Sequence, residues 1–191
     1  MRNKIIDAAE NSFFENGFRK ATMDDIASSL GVSKKTLYKH VAGKNDLAYA
    51  VIERHKDGIF DLLSEVKDLI PDPIERFEKV VLETSRRLSK IGTIFLSDIK
   101  KEIPDLWQDY ENFREKKIFI YISDILEEGI ISGKIKKGIN TKIATLLFLG
   151  SVRVIVQPDV IDQYHLSFDE AFSNIREIFL TGVMSNPEIK R

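Results

Sequence analysis

The chain has 191 residues, a hydrophobic content of 43%, a formal net charge of −1 and no cysteine. This length and composition support a folded core, and the lack of cysteine excludes disulfide bonds, thiolate metal sites and a cysteine nucleophile. The opening residues lack the apolar region of a signal peptide, and the apolar run 143–156 is too short to cross a bilayer. We therefore expect a cytoplasmic protein with no membrane partner.

The charge is unevenly distributed along the chain. Residues 1–56 contain 10 basic and 7 acidic side chains, whereas residues 57–191 contain 19 basic and 23 acidic ones. A basic segment joined to an acidic one favours an anionic partner for the basic segment alone.

Two helices are predicted in the first 30 residues. Apolar side chains recur at helical spacing from Ile5 to Phe14, and Gly17 is a plausible end for this first helix. Thr22 is a good N-cap for a second helix, and Asp25, three residues later, completes a weaker form of the capping box.

A glycine turn and a third short helix follow. Gly31 supplies a left-handed turn, and Ser33 caps a helix that directs Leu37 and Val41 inward. Ala27 is small enough for the close crossing of two helices, four residues before that glycine. This spacing predicts a helix-turn-helix.

Lysines begin both of the next two predicted helices. Lys34 and Lys35 lie in the first turn of the third helix and Lys44 begins the fourth, where the helix dipole disfavours each cation by about 0.3–1 kcal/mol. Either these are ordinary solvated lysines, or DNA phosphates approach the helix ends and are bound by amides and lysines together. Their place on a helix-turn-helix favours DNA. The side chains that the core leaves unused on this face are Lys34, Lys35, Thr36, Tyr38, Lys39 and His40.

Residues 5–50 resemble the N-terminal DNA-binding domain of TetR/AcrR-type transcriptional regulators. The residues that match its pattern are Phe13, Gly17, Thr22, Ile26, Ala27, Gly31, Val32, Ser33, Leu37, Tyr38 and Lys44. The stretches EEGIISGKI and FDEAFSNIREIFLTGV also resemble the helical regulatory domain of that family. The resemblance implies an all-α protein with a three-helix helix-turn-helix domain at 1–46 and a helical effector-binding and dimerisation domain at 47–191.

The resemblance also implies roles for individual residues. Tyr38 and Lys44 match positions that contact phosphate, and Lys39 and His40 match positions that face bases. The full set of implied DNA-binding residues is Thr22, Ser33, Lys34, Lys35, Thr36, Tyr38, Lys39, His40 and Lys44.

Three residues depart from the family pattern. Asp24 stands where some relatives carry a basic residue toward DNA, so that contact is not expected here. Val41 and Gly43 replace an aromatic residue and a serine, which predicts a looser turn and a weaker cap before the fourth helix.

The remainder is predicted to be helical nearly throughout, with no alternating strand pattern. Prolines or glycines separate predicted helices at 47–69, 72–90, 92–103 and from 104 to about 129 or 133. No Gly/Ser-rich linker follows Leu47. The fourth helix is therefore expected to connect the predicted N-terminal DNA-binding domain directly to the predicted C-terminal domain.

Two late helices are candidates for a dimer interface. The stretch 143–156 is apolar almost all round, so it needs packing partners on every side, and the stretch 168–183 is amphipathic. Both helices could instead be intramolecular core. The resemblance implies a homodimer with a four-helix interface, whose candidate residues are Leu146, Leu147, Gly150, Ser151, Val154, Phe172, Ile175, Phe179 and Gly182.

An effector site is less clearly marked. Aromatic residues that either line a cavity or simply fill the core are Phe95, Trp107, Tyr110, Phe119, Tyr121 and Phe148. Arg153 lies within an apolar helix and should be paired, because an unpaired buried charge costs several kcal/mol. Its partner is expected to be an acid across the dimer or an acidic effector.

The sequence gives no sign of catalysis. The three histidines lack metal-ligand spacing, and no phosphate loop, nucleophile elbow or HExxH motif occurs, so no catalytic residue, metal or cofactor is predicted. We expect a dimeric DNA-binding regulator, most often a repressor in this family, that a small-molecule effector releases from a palindromic operator. The alternative is a DNA-bound adaptor whose C-terminal domain recruits a protein partner instead of a small ligand.

Overall fold

The computed structural model describes residues 1–185. Within this range the chain forms eleven α-helices and one π-helical segment: Arg2–Lys20 (α1), Met23–Ser29 (α2), Lys34–Leu37 (α3), Lys44–Leu69 (α4), Pro73–Ile91 (α5), Thr93–Glu102 (α6), Pro104–Phe113 (α7), the π-helix Arg114–Ile118, Phe119–Ile131 (α8), Thr141–Ile155 (α9), Pro158–Gln163 (α10) and Phe168–Val183 (α11). The only extended pairing in this range is an isolated antiparallel bridge between Ile135 and Met184. The all-α prediction is confirmed.

The predicted caps begin the early helices. The Thr22 hydroxyl accepts a hydrogen bond from the Asp25 amide at 3.1 Å, and the Asp25 carboxylate accepts one from the Thr22 amide at 3.2 Å. This capping box satisfies two amides that the first turn of α2 leaves without helical partners. Ser33 accepts from the Thr36 amide at 3.1 Å and begins α3 in the same way.

Three elements differ from the sequence predictions. The helix α1 passes through Gly17 and continues to Lys20, with Gly17 itself outside helical geometry. The predicted long helix after Pro104 contains the π-helical segment, which divides it into α7 and α8. The short α10 was not predicted, although Pro158 at its first position is a usual start signal.

The chain divides into two compact units. The first contains Met1–Gly58 and Lys90–Glu111, and the second contains Ile59–Ser89 and the chain from Asn112 onward. The helix α4 belongs to both, and the predicted domain boundary after residue 46 lies within its first turn. That boundary therefore stays a prediction.

In the first unit, α1 packs on α6 through an aromatic cluster and a kink. Phe13 and Phe95 are fully buried and stack with ring centroids 5.6 Å apart. Gly17 adopts φ 79° and ψ 162°, a conformation nearly restricted to glycine. After the kink, the Arg19 amide donates to the Asp98 carboxylate on α6 at 2.8 Å. The kink thus ties α6 to the end of α1.

Gly17→Ala is expected to destabilise the protein. A Cβ at this position would lie 2.6 Å from Ile94 Cγ2 and 2.8 Å from Asp98 Oδ2, in addition to the backbone strain. Together these costs are at least about 2 kcal/mol, which lowers the melting temperature by roughly 4 °C or more. Thermal unfolding tests this, with Gly43→Ala as control, because a Cβ at Gly43 meets nothing within 4 Å. Equal melting temperatures for the two variants would contradict it.

The second unit is held by interlocking helices and polar links. Phe77, Phe148 and Phe179 form an aromatic cluster that joins α5, α9 and α11, with centroid distances of 5.0–5.4 Å. Buried Ser85 on α5 donates to Asp169 on α11. Among residues 1–185, no helix has both the length and the apolar character that a membrane span requires.

Candidate functional site

The helix-turn-helix presents one exposed polar face. The buried Ala27 carbonyl accepts hydrogen bonds from the Leu30 and Val32 amides, which closes the turn at Gly31. Leu37 is fully buried beneath α3. The side chains that this arrangement leaves exposed include Lys34, Lys35, Tyr38, Lys39 and His40, with Thr36 half-buried. Six of the predicted DNA-binding residues are therefore brought together.

The helix α3 ends before the last residues of the predicted DNA-binding face. Helical geometry ends at Leu37, and Tyr38 is its C-cap. The amides of Lys39 and His40 donate to carbonyls three residues earlier, at 3.2 and 3.0 Å, so the chain continues as tight turns. The candidate base-facing residues thus lie just after the helix.

Thr22 and Ser33 are occupied as caps. The Thr22 hydroxyl also donates to the Asp25 carboxylate at 2.6 Å, and the Ser33 and Thr36 hydroxyls share a hydrogen bond at 2.9 Å. Hydrogen bonds at the N-termini of α2 and α3 therefore hold both of these predicted DNA-binding side chains in place.

Lys34 has an acidic partner on the same surface. Its Nζ lies 2.8 Å from Asp24 Oδ2, and the two side chains are 50% and 66% exposed. The hydrogen bond and charge of Asp24 raise the pKa of Lys34, so the lysine stays cationic. The ion pair with Asp24 therefore engages a lysine that would otherwise be available to an anionic ligand.

Lys44 is not a freely solvated lysine. Its Nζ donates to the Arg19 carbonyl at 3.2 Å and lies 4.5 Å from the centre of the Phe18 ring. Burial lowers the pKa of Lys44, while the charges of Asp98 and Glu102 oppose that effect. The side chain therefore links the start of α4 to the end of α1.

Two residues that sequence reasoning missed hold the turn before α4. Arg2 donates to the His40 carbonyl at 2.8 Å and to the Asp46 carboxylate at 3.2 Å. Asp46 also accepts from the Ala42 amide at 3.0 Å, a hydrogen bond that lowers the pKa of its carboxyl group. An acidic side chain in the first turn of a helix is favourable, so the role of Asp46 at the start of α4 could have been predicted from the sequence. The turn expected to be loose is thus fixed by a side-chain clamp.

The second unit exposes an apolar face on α9 and α11. An open groove of about 580 Å³ runs between these helices. Its lining includes five predicted interface residues: Leu147, Ser151, Ile175, Phe179 and Gly182. Leu147 and Ile178 are 64% and 74% exposed in the single chain. Such contiguous apolar exposure is typical of an interaction surface.

The other predicted interface residues divide into two groups. Leu146 and Val154 are exposed, and Gly150 is half-buried on α9. Phe172 is buried within its own chain, as is most of the groove residue Ile175 named above. Exposed Ile143 and Ile178 line the groove but were missing from the predicted interface, although their apolar character on these helices was a usable signal.

The aromatic candidates for an effector site do not form one group. Phe95 and Tyr110 are buried and Trp107 is half-buried in the first unit, whereas the second unit contains Phe119, Tyr121 and Phe148. Phe95 stacks on Phe13 and so fills the core.

Arg153 differs from its expected environment. Its side chain is 62% exposed in the single chain and pairs with Glu115 of the same chain at 2.9 Å. The inference of a buried arginine failed because α9 is exposed on the side that carries Arg153. A partner across a dimer or an acidic effector is not needed to balance this charge.

His55 Nε2 and the Tyr110 hydroxyl share a hydrogen bond at 3.2 Å. In the described part of the chain, no group of three or more histidine and carboxylate side chains could hold a metal ion.

The residues that form the exposed face of the helix-turn-helix lie within a range that matches a known protein family. Residues 5–51 match the family model described as bacterial regulatory proteins of the tetR family. This range contains α2, α3, the turn between them and the first residues of α4.

Full-length similarities extend over the rest of the chain. The fatty acid metabolism regulator protein of Bacillus subtilis is 26% identical over 94% of this chain and 94% of its own length. The transcriptional repressor KstR2 of Mycolicibacterium smegmatis is 25% identical over 71% of this chain and 67% of its own. The structure of FadR from Bacillus subtilis in complex with stearoyl-CoA has a TM-score of 0.67 and 21% identity, covering 95% of this chain and 99% of that one.

Proposed function

Because the chain belongs to the TetR/AcrR family of transcriptional regulators, we propose that it is a homodimeric repressor that a small-molecule effector releases from DNA. Proteins of this family bind DNA to regulate transcription and are not enzymes. The dimer, the repression and the release by an effector are the parts that we propose for this chain.

The observation that carries the DNA-binding proposal is the exposed face beside α3. Tyr38, Lys39 and His40 are solvent-exposed next to a turn that caps and an arginine clamp hold in place. A phenol and a lysine are suited to phosphate and base edges, and a fixed backbone reduces the entropy lost on binding. We assign Tyr38 to a phosphate and Lys39 to a base edge.

The apolar face of α9 and α11 supports the dimer. A second copy can cover Leu147 and Ile178 with its own equivalent residues, as two-fold symmetry requires. A symmetric dimer would place two α3 segments in successive major grooves about 34 Å apart, on a palindromic operator.

The continuity of α4 supports release by an effector. This helix runs without interruption from Lys44, beside the turn, to Leu69 in the second unit. A molecule bound in the C-terminal domain would tilt α4 and change the separation of the two recognition segments. A coupling free energy of roughly 1–3 kcal/mol would be sufficient to release DNA.

The experiment is selection of genomic DNA fragments by the purified protein, followed by titration of a selected fragment with candidate effectors. Stearoyl-CoA is the first candidate, because a FadR of the same fold has been crystallised with it. We expect fragments that share a palindrome and are released by an effector. Enriched fragments that no binding ligand releases would refute the effector mechanism and favour the adaptor.

Asp24→Asn is expected to strengthen DNA binding. The change frees Lys34 from its 2.8 Å partner and removes a negative charge from the DNA-facing surface. Since an exposed pair contributes little, the gain should be about two- to fivefold on operator and random DNA alike. The salt dependence should also become steeper. Fluorescence anisotropy measures both effects.

The matched control for this substitution is Asp61→Asn, which removes an exposed carboxylate of the second unit. An equal gain from both variants would show that net charge alone is responsible. Unchanged affinity in Asp24→Asn would mean that Lys34 does not approach phosphate.

A further inference from the structure

The segment 38–43 contains the candidate base-facing residues but is not part of a helix. The helix α3 ends at Leu37, and α4 begins at Lys44. Between them the backbone follows tight turns, in which the amides of Lys39 and His40 donate to carbonyls three residues earlier. Such turns lack the continuous series of hydrogen bonds that fixes side-chain directions along a longer helix. The directions of the Lys39 and His40 side chains therefore depend on contacts from outside the segment.

A contact of this kind comes from Arg2, at the start of α1. Its Nη1 donates to the His40 carbonyl at 2.8 Å, and its Nη2 donates to Asp46 Oδ1 at 3.2 Å. The second oxygen of the same carboxylate, Asp46 Oδ2, accepts from the Ala42 amide at 3.0 Å. The Arg2 and Asp46 side chains thus form one connected network with the backbone of residues 40 and 42. We call this network the Arg2 clamp.

Both side chains of the Arg2 clamp are attached to elements that packing holds in place. Arg2 is the first residue of α1, and the Ile5 amide donates to the Met1 carbonyl at 3.2 Å, so the helix is regular from its start. Ile5 is fully buried and fixes this turn against the core. On the other side, Asp46 is followed by Leu47, which is also fully buried. The Arg2 clamp therefore connects segment 38–43 to two positions that the core defines.

Stability does not explain the Arg2 clamp. The Arg2 and Asp46 side chains are 49% and 30% exposed, and ion pairs with this exposure contribute little to the free energy of unfolding. The geometry is nevertheless specific to arginine, because a planar guanidinium donates from two nitrogens in a fixed fork and a lysine ammonium does not. What the network does fix is the backbone of His40, a candidate DNA-binding residue.

We propose that Arg2 is a positioning residue for DNA recognition, which acts through the His40 carbonyl and Asp46 to hold Lys39 and His40 toward the base edges. A recognition segment that is fixed before binding loses less conformational entropy when it meets DNA. It also presents its side chains in one arrangement, which favours one base sequence over others. The inference rests on the proposed function, since it identifies what orients the recognition segment of the regulator.

The test compares Arg2→Lys and Arg2→Gln in the full chain, with Lys4→Gln as matched control, because Lys4 is an exposed cation of the same helix. Affinity is measured for a selected operator fragment and for random DNA at several salt concentrations. Lysine keeps the charge but not the forked geometry, so we expect both Arg2 variants to lose discrimination by about fivefold or more. The salt dependence should stay as in the wild type, and Lys4→Gln should discriminate as the wild type does.

Asp46→Ala separates geometry from charge. If charge alone mattered, removal of a carboxylate beside the recognition segment would strengthen binding to operator and random DNA alike. The Arg2 clamp predicts the opposite result for the operator, whose affinity should fall relative to that of random DNA as it does in the Arg2 variants. Circular dichroism verifies that the helix content of each variant is unchanged.

Hydrogen exchange of the free protein, followed by mass spectrometry, tests the Arg2 clamp without DNA. The amides of segment 38–43 should exchange faster in Arg2→Lys and Arg2→Gln than in the wild type and in Lys4→Gln, because local opening of the segment costs less free energy once the clamp is lost. Unchanged exchange in both Arg2 variants would overturn the proposal.

Two results with DNA would also overturn it. Wild-type discrimination in Arg2→Lys would show that the charge of Arg2 is sufficient. Equal weakening on operator and random DNA in Arg2→Gln, with a shallower salt dependence, would show that Arg2 binds phosphate directly. Each of these results leaves selective DNA binding by the wild type intact, whereas a wild type that selects no operator would refute the proposed function itself.

Discussion

Leu147→Glu and Ile178→Glu are each expected to convert the proposed dimer into monomers and to weaken operator binding at least 100-fold. Both side chains line the groove between α9 and α11 and are mostly exposed in the single chain, so the substitutions should not disturb the fold of the protomer. In the dimer, symmetry places each new carboxylate in the interface twice. Burial of unpaired charge costs several kcal/mol, and each 1.4 kcal/mol is about a factor of ten in affinity.

Light scattering coupled to size exclusion measures the mass, and fluorescence anisotropy measures the operator affinity. Ile131→Glu is the control, because Ile131 is 86% exposed in the same unit but does not line the groove. The control should remain dimeric with unchanged affinity. Dimers of wild-type stability in both groove variants would show that another surface mediates the association.

Tyr38→Ala combined with Lys39→Ala is expected to abolish selective operator binding. Both side chains are exposed beside α3 and are not part of the buried core, so the loss should reflect DNA contacts. Lys39→Ala alone should reduce discrimination between operator and random DNA by about 1–3 kcal/mol if the lysine contacts a guanine. Tyr38→Phe alone should weaken binding to both DNAs to a similar degree, because a phosphate contact carries no sequence information.

Competition between labelled operator and unlabelled random DNA at fixed salt separates these effects. Circular dichroism should show unchanged helix content in every variant. An equal loss on both DNAs from Lys39→Ala would reassign that lysine to a phosphate. An operator-specific loss from Tyr38→Phe would likewise assign the phenol hydroxyl to a base.

Signals between residues that are close in sequence were sufficient to predict the N-terminal helix-turn-helix. The Thr22 and Ser33 caps, the positive φ at Gly31 and the inward direction of Leu37 all depend on side chains within a few residues of one another. The same short range explains why the start of α4 at Lys44 and the end of α5 near Ile91 lie close to their predicted places.

Contacts distant in sequence could not be predicted in the same way. The clamp from Arg2 to the His40 carbonyl spans 38 residues, and the pair of Lys34 with Asp24 depends on how α2 and α3 cross. Arg153 shows the opposite error, because its apolar neighbours in sequence suggested burial while the fold exposes that side of α9. The charge distribution therefore favoured an anionic partner for the N-terminal segment but did not predict the environment of each lysine.

The aromatic residues that were candidates for an effector site show the same limit. Six aromatic residues were equally plausible by sequence, and the structure places three of them in each unit. Tyr121 is distinguished from the others by a buried hydroxyl that has no hydrogen-bond partner among residues 1–185, a feature that periodicity does not reveal.

The most direct test of the central claim is the affinity of the wild-type protein for a selected palindromic fragment and for the same fragment with one half-site scrambled. A two-fold symmetric regulator should bind the intact palindrome as a dimer, and scrambling one half-site should weaken binding at least about tenfold, because half of the base contacts are lost. Equal affinity for the two fragments would contradict site-specific recognition by a symmetric dimer.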